Sequence, residues 1–188
     1  LAKPGEGAAA TIKANNDAGS VAAASVAGEL YAYPMTSDNG YYMYYNTSII
    51  SEEDAESMEA IIAACEANGL KIRYALENAW YTASFFFATG CVSNWTMDEN
   101  GEFVAVDDTF NSAAGLAAMK GMEKLAKSPA YDSNADIFTD AGVVITGIWN
   151  ANAAADHFGE NLGATDLPSF EVDGQTYHLG SYTGNKLM

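Results

Sequence analysis

The 188 residues carry 25 acidic against 8 basic side chains, a net charge of −17, with 49% hydrophobic residues. That length and apolar content suffice for a substantial core in one domain, or one domain and a fragment. The charge leaves no basic face for nucleic acid or anionic lipid, and no apolar run reaches the roughly 18 residues of a membrane span.

In chain order, residues 8–27 are Ala-rich and read as one or two helices, with a break or N-cap signal at Asn15-Asn16-Asp17. They feed a strand from Glu29 to Tyr33. Pro34 and the polar cluster Ser37-Asp38-Asn39-Gly40 then predict a kink and a turn, before a tyrosine-dense strand to Thr47. Ser51-Glu52-Glu53-Asp54 caps a helix that places Met58, Ile61, Ile62 and Cys65 on one face and stops at Asn68-Gly69. A short strand, Leu70 to Tyr74, precedes an aromatic helix over 79–90. Residues 94–106 read as a loop with a small hairpin at Asn100-Gly101.

Residues 109–127 predict an amphipathic helix with Leu116, Met119, Met122 and Leu125 inward, ended by Ser128-Pro129. Val143-Val144-Ile145-Thr146 is a continuous apolar run of the kind buried on both faces of a sheet. It passes through Gly147 into a helix starting near Trp149. A short strand at 162–165, a hairpin turned at Asp173-Gly174 and a returning strand over 177–182 complete the chain. Strands alternating with helices imply an α/β sheet flanked by helices. The chain opens on Leu1 and stops within an apparent strand, so it reads as a piece of a longer protein, without a signal peptide.

The sequence carries no G-x-S-x-G elbow, no P-loop, no H-E-x-x-H and no G-x-G-x-x-G. His157 and His178 have no Ser or Cys of recognisable context, and no carboxylate pair is singled out for glycoside hydrolysis. Cys65 and Cys91 lack metal-ligand spacing; one disulfide or two buried thiols both fit. Binding features are stronger. Trp80, in Glu77-Asn78-Ala79-Trp80-Tyr81-Thr82, and Trp149, in Gly147-Ile148-Trp149-Asn150, each stand where a strand gives way to a helix. Ligands of open α/β sheets bind beyond the carboxyl ends of the strands, and flat rings stack on sugar faces while polar neighbours hold hydroxyls.

Several motifs, in order along the chain, carry a resemblance. Tyr31-Ala32-Tyr33-Pro34 with the ending Tyr45-Asn46 resembles the lobe crossover of extracellular solute-binding proteins of the maltodextrin-binding type, the capture subunits of sugar-importing ABC transporters. Glu77 to Thr82 resembles the segment presenting a sugar-stacking aromatic, and Gly147-Ile148-Trp149 a second, with Ile where the family has Pro. Leu167-Pro168-Ser169-Phe170 and Gly180 to Gly184 resemble the later Leu-Pro-x-Phe and the return crossing.

The resemblance implies an α/β lobe of a bilobal, periplasmic-binding-protein-like fold with a mixed sheet. Residues 1–34 would end the N-terminal lobe, 35–46 cross between lobes, 47–179 form the C-terminal lobe and 180–188 begin the return. It implies a mono- or oligosaccharide held between lobes by Trp80, Trp149, Asp38 or Asn39, Asn150 and Lys186. No cofactor, metal, nucleic acid or chemistry is implied. The full-length protein would be monomeric, lipid-anchored outside the cell or periplasmic, and would deliver its sugar to a membrane permease. The rivals are a secreted glycoside hydrolase fragment, and the same fold holding a polyamine, peptide or metal complex.

Overall fold

The computed structural model describes residues 5–188, apart from the side chains of Ser37 and Asp38. The elements run α1 (Glu6–Asn15), α2 (Ala18–Ala23), β1 (Ser25–Val26), β2 (Glu29–Leu30), β3 (Pro34–Asn39), β4 (Tyr41–Asn46), α3 (Met58–Asn68), β5 (Lys71–Tyr74) and α4 (Ala79–Ala88). They continue with β6 (Ser93–Met97), β7 (Phe103–Asp108), α5 (Ala113–Ala126), β8 (Tyr131–Asp132), β9 (Ala141–Gly147), α6 (Ala151–Phe158), β10 (Leu162–Thr165), β11 (Ser169–Val172), β12 (Gln175–His178) and β13 (Gly184–Leu187). The chain divides into two compact units.

The smaller unit comprises Leu1–Gly40, Ser93–Asp107 and Thr183–Met188. Asp17 caps α2 by accepting from the Ser20 N–H at 2.9 Å. The predicted helical stretch ends there, because Ala27 and Gly28 take φ of 50° and 79° and turn residues 25–30 into a hairpin of β1 and β2. The predicted turn at 37–40 is corrected: the polar cluster stays extended in β3, paired antiparallel with β13 through Asn39–Gly184 and Thr36–Lys186. The partner strand overrides the local turn chemistry, and Pro34 occupies the first position of the strand, where its missing N–H costs least.

The larger unit, Tyr41–Val92 with Asp108–Tyr182, holds a five-stranded mixed sheet in the order β10-β4-β9-β5-β8. β8, β5 and β9 are parallel, and β4 lies antiparallel to both β9 and β10. Every residue of β9 is buried, as a run covered on both faces requires. Val143 and Ile145 join the main core with Met58, Ile61, Tyr74 and Phe85, while Val144 joins Tyr44, Ala154 and Phe158 on the opposite face.

Ser57, not Ser51, caps α3, and Gly69 ends it at φ 64°, the left-handed stop that its sequence predicts. Ser51 instead accepts from the Asp54 N–H at 3.1 Å, where the short 3-10 turn Asp54–Glu56 begins. In α5 the inward assignment of Leu116 and Met119 is corrected: both are more than half exposed, and the buried face is Gly115, Ala118, Gly121, Met122 and Leu125. A Cβ on Gly121 would lie 2.4 Å from the Phe170 ring, so only small residues allow this helix so close. The helical period was legible; the face was not, because the large apolar residues are split evenly, Met122 and Leu125 inward and Leu116 and Met119 outward, and small residues fill the rest of the inward stripe.

The predicted strand over 177–182 ends at His178. Cys65 is buried in α3, its thiol pushed up to about 12 by burial, and Cys91 is buried just after α4 rather than within it; both are free thiols.

Candidate functional site

Three parallel strands of the larger unit end at one edge of the sheet, and the chain that leaves each of them builds a groove of about 580 Å³. Ala75, Glu77, Asn78 and Tyr81 follow β5, Ser133 to Asp136 follow β8, and Trp149 follows β9. This is the edge at which open α/β sheets receive ligands. A larger hollow of about 670 Å³ lies beside the start of α3 and is lined by Glu53, Asp54, Glu56, Glu59 and Glu171. Its Phe170 ring is 1% exposed, so it offers no stacking face, and none of its lining residues belongs to the loops that follow the parallel strands.

Trp149 lies in a 3-10 turn, Ile148–Asn150, directly after β9, and its side chain is 52% exposed. Its ring folds back over Gly147 so closely that a Cβ there would come within 2.1 Å of it. Gly147 therefore leaves the room that the ring occupies at the groove. Asn150 beside it donates to Thr146 Oγ1 at 2.9 Å and to Asp136 Oδ1 at 3.3 Å, tying the turn after β9 to the loop after β8. Tyr81 shares Thr146: burial raises its phenol, and a hydrogen bond with the Thr146 side chain opposes that shift.

Trp80 is placed differently. Asn78 caps α4 by accepting from the Trp80 N–H at 3.0 Å. The indole then turns inward, half-buried against the main core, with its centroid 6.2 Å from Tyr41 in an edge-on contact. Its buried Nε1–H has no hydrogen-bond partner. The groove lining contains Trp149 and not Trp80.

The remaining sequence candidates belong to the smaller unit. Asn39 ends β3, half-buried, and Lys186 is exposed on β13 opposite Thr36. Asp38 also lies in β3, and its side chain is outside the described residues. Among the described residues no group of three or more His, Cys, Asp or Glu could hold a metal ion, and no helix is long and apolar enough to cross a membrane.

Sequence reasoning missed the loop after β8, which supplies Ser133, Asn134 and Asp136, and the residue that holds it, Arg73. The signals were present: a lone arginine in the apolar strand Lys71-Ile72-Arg73-Tyr74, and aspartates at 132, 136 and 140. Arg73 is 5% exposed. Its guanidinium reaches Asp132 at 3.2 Å, Asp140 at 2.7 Å and the backbone carbonyls of Asn134 and Thr139.

A concave, partly polar groove with one anchored exposed ring, at the carboxyl edge of a sheet, defines a lobe of a small-solute binding protein. Comparison with known proteins places it further. The model of the bacterial extracellular solute-binding proteins matches residues 6–184, and the chain belongs to that family. Among solved structures, one determined with acarbose is similar over 98% of this chain and 50% of its own, with TM-score 0.72 and 25% identity. A maltodextrin-binding protein, MalE1 from L. casei BL23 without ligand, is similar in fold over 96% of this chain and 50% of its own, with TM-score 0.74 and 18% identity. The chain thus spans about half the length of the solved structures it matches. No curated protein sequence matches it significantly.

Proposed function

We propose that this chain is part of the substrate-binding subunit of an ABC importer, which captures a sugar or oligosaccharide of the maltodextrin kind for a membrane permease. The observation that carries the reading is Trp149: a large ring, half exposed, held over Gly147 at the mouth of a groove with amide and carboxylate groups around it. Such a ring supplies the apolar face that a pyranose stacks on, and Asn78, Asn134 and Asp136 supply partners for hydroxyls. The acarbose and maltodextrin neighbours support a sugar as the ligand.

In this reading residues 47–179 form the C-terminal lobe of an extracellular or periplasmic receptor, and the protein performs no chemistry. Asp38, Asn39 and Lys186 enter the proposal from the family resemblance alone. Trp80 is tied to the groove only through its backbone N–H, which donates to Asn78, while its ring packs on Tyr41. One observation favours a second reading, a cationic solute: Glu77 and Asp136 line the groove with no basic side chain beside them.

A thermal-shift screen of the full-length protein tests both, since a ligand that binds only the native state raises the melting temperature. Malto-oligosaccharides should raise it in a concentration-dependent way. A rise with polyamines and none with any sugar would replace the first reading by the second.

A further inference from the structure

We propose that Arg73 is a positioning residue for the groove: its guanidinium clamps both ends of the loop after β8 and so sets where Asn134 and Asp136 meet the ligand. The proposal rests on the groove being the sugar site.

Arg73 is an anomaly on β5. Ile72 and Tyr74 on either side of it are fully buried in the main core, so alternation sends Arg73 to the opposite face of the sheet, where it pairs in register with Val144 and Asp132. An apolar side chain would suit that face at least as well. Only the guanidinium is buried, its carboxylate partners being partly exposed, and the desolvation of a buried charge offsets much of the attraction to them; the best-attested return of such a buried charge is a fixed arrangement. The contacts show what is fixed. Nη1 meets Asp132 Oδ1 and the Asn134 carbonyl at the start of the loop. Nη2 meets Asp140 Oδ1 and the Thr139 carbonyl at its end. One planar fork therefore spans a loop whose two ends are separated by eight positions of sequence, a geometry that the point charge of lysine does not reproduce.

Between these ends the loop is wound by its own side chains. Asp132 Oδ1, the atom that accepts from Arg73, also accepts the Asn134 N–H at 2.9 Å, and Asn134 Oδ1 accepts the Asp136 N–H at 3.2 Å. Asp136 in turn accepts from Asn150, next to Trp149. The chain of contacts runs from the buried guanidinium to Asn150, the residue that follows Trp149. Asp140 holds φ at 56°, a left-handed conformation that needs support for a residue with a Cβ, and Arg73 grips its carboxylate.

The test compares Arg73→Met, Arg73→Lys and the pair Asp132→Asn with Asp140→Asn in the full-length protein, with Trp149→Ala as reference. Hydrogen exchange of amides 133–139 is read without ligand, affinity for maltotriose by calorimetry, and the melting midpoint by circular dichroism. Arg73→Met should speed exchange in that loop alone and weaken maltotriose binding at least tenfold while the midpoint moves little. Arg73→Lys should fall between. The aspartate pair, whose side chains are partly exposed, should reproduce the loss even if Arg73→Met fails to fold.

A merely structural arginine would lower the midpoint and leave loop exchange and affinity unchanged, and that result overturns the proposal. So would intact binding in the aspartate pair. If Trp149→Ala loses binding while the Arg73 and aspartate variants keep it, the inference fails and the sugar site stands. If the wild-type protein ignores maltotriose, the sugar reading fails, and loop exchange alone decides whether Arg73 holds the wall.

Discussion

The junctions after β5 and after β9 look alike in sequence, each a strand followed by a tryptophan at the start of a helix, yet the structure places the two rings differently. After β5, Asn78 caps α4 and the Trp80 ring turns in against Tyr41, half-buried. After β9, Gly147 leaves room for Trp149 to fold back over the backbone and stay half exposed at the groove. The contrast teaches that the neighbours of an aromatic residue decide its role. A capping side chain draws one helix start in toward the core, and a missing Cβ lets the other ring lie along the sheet edge.

The sharpest way to break this comparison is to truncate both rings. Trp80→Ala should cost about 3 kcal/mol of stability in denaturant melts, the low end for a large aromatic packed on a core, while affinity per folded molecule changes less than Trp149→Ala changes it. Trp149→Ala should do the reverse: about 2 kcal/mol of binding, roughly thirtyfold by calorimetric titration with the best sugar, and stability within about 0.5 kcal/mol of wild type. If the two variants behave alike, the distinction between the junctions is lost.

Gly147→Ala sharpens the Trp149 side. The added methyl meets the ring, which must shift, so affinity should fall by about 1 kcal/mol, and by much less once Trp149 is already Ala. Equal losses in both backgrounds would show that the methyl acts on something other than the ring.

The last effect belongs to the core beside Trp80 and is read with pH. Burial pushes the Tyr41 phenol up to about 12 from 10.0. The folded chain therefore keeps that proton longer than the unfolded chain, so the contribution is complete below about pH 10 and is lost as pH rises through about 12. Burial raises the Cys65 thiol to about 12 as well, and that contribution begins to fall from about pH 9. Denaturant midpoints should drop over this alkaline window. Emission from a protein in which Trp80 is the single tryptophan should follow the drop more closely than emission from one that keeps only Trp149.

Much of the larger unit was legible because its signals are local. The buried run Val143 to Thr146, the Gly69 stop, the Asp173-Gly174 turn and the strand-to-helix junctions all follow from residue types over a few positions. What was illegible depends on partners distant in sequence. β3 stays extended at its polar cluster because β13 pairs with it, and α5 turns its small residues inward because Phe170 needs the room. The place of Trp149 at the groove, directly after β9, could be read from its motif, whereas the wall after β8 could not. Its position depends on an arginine some sixty residues earlier in the chain.

The central claim is that a sugar stacks on Trp149 at the carboxyl edge of the sheet. Iodide quenching of the full-length protein with its other tryptophans changed to Phe, so that emission comes from Trp149 alone, tests it most directly during a maltotriose titration. The account predicts that quenching falls in step with calorimetric binding, because the sugar covers the ring. Binding that saturates while iodide reaches Trp149 as freely as before would contradict it.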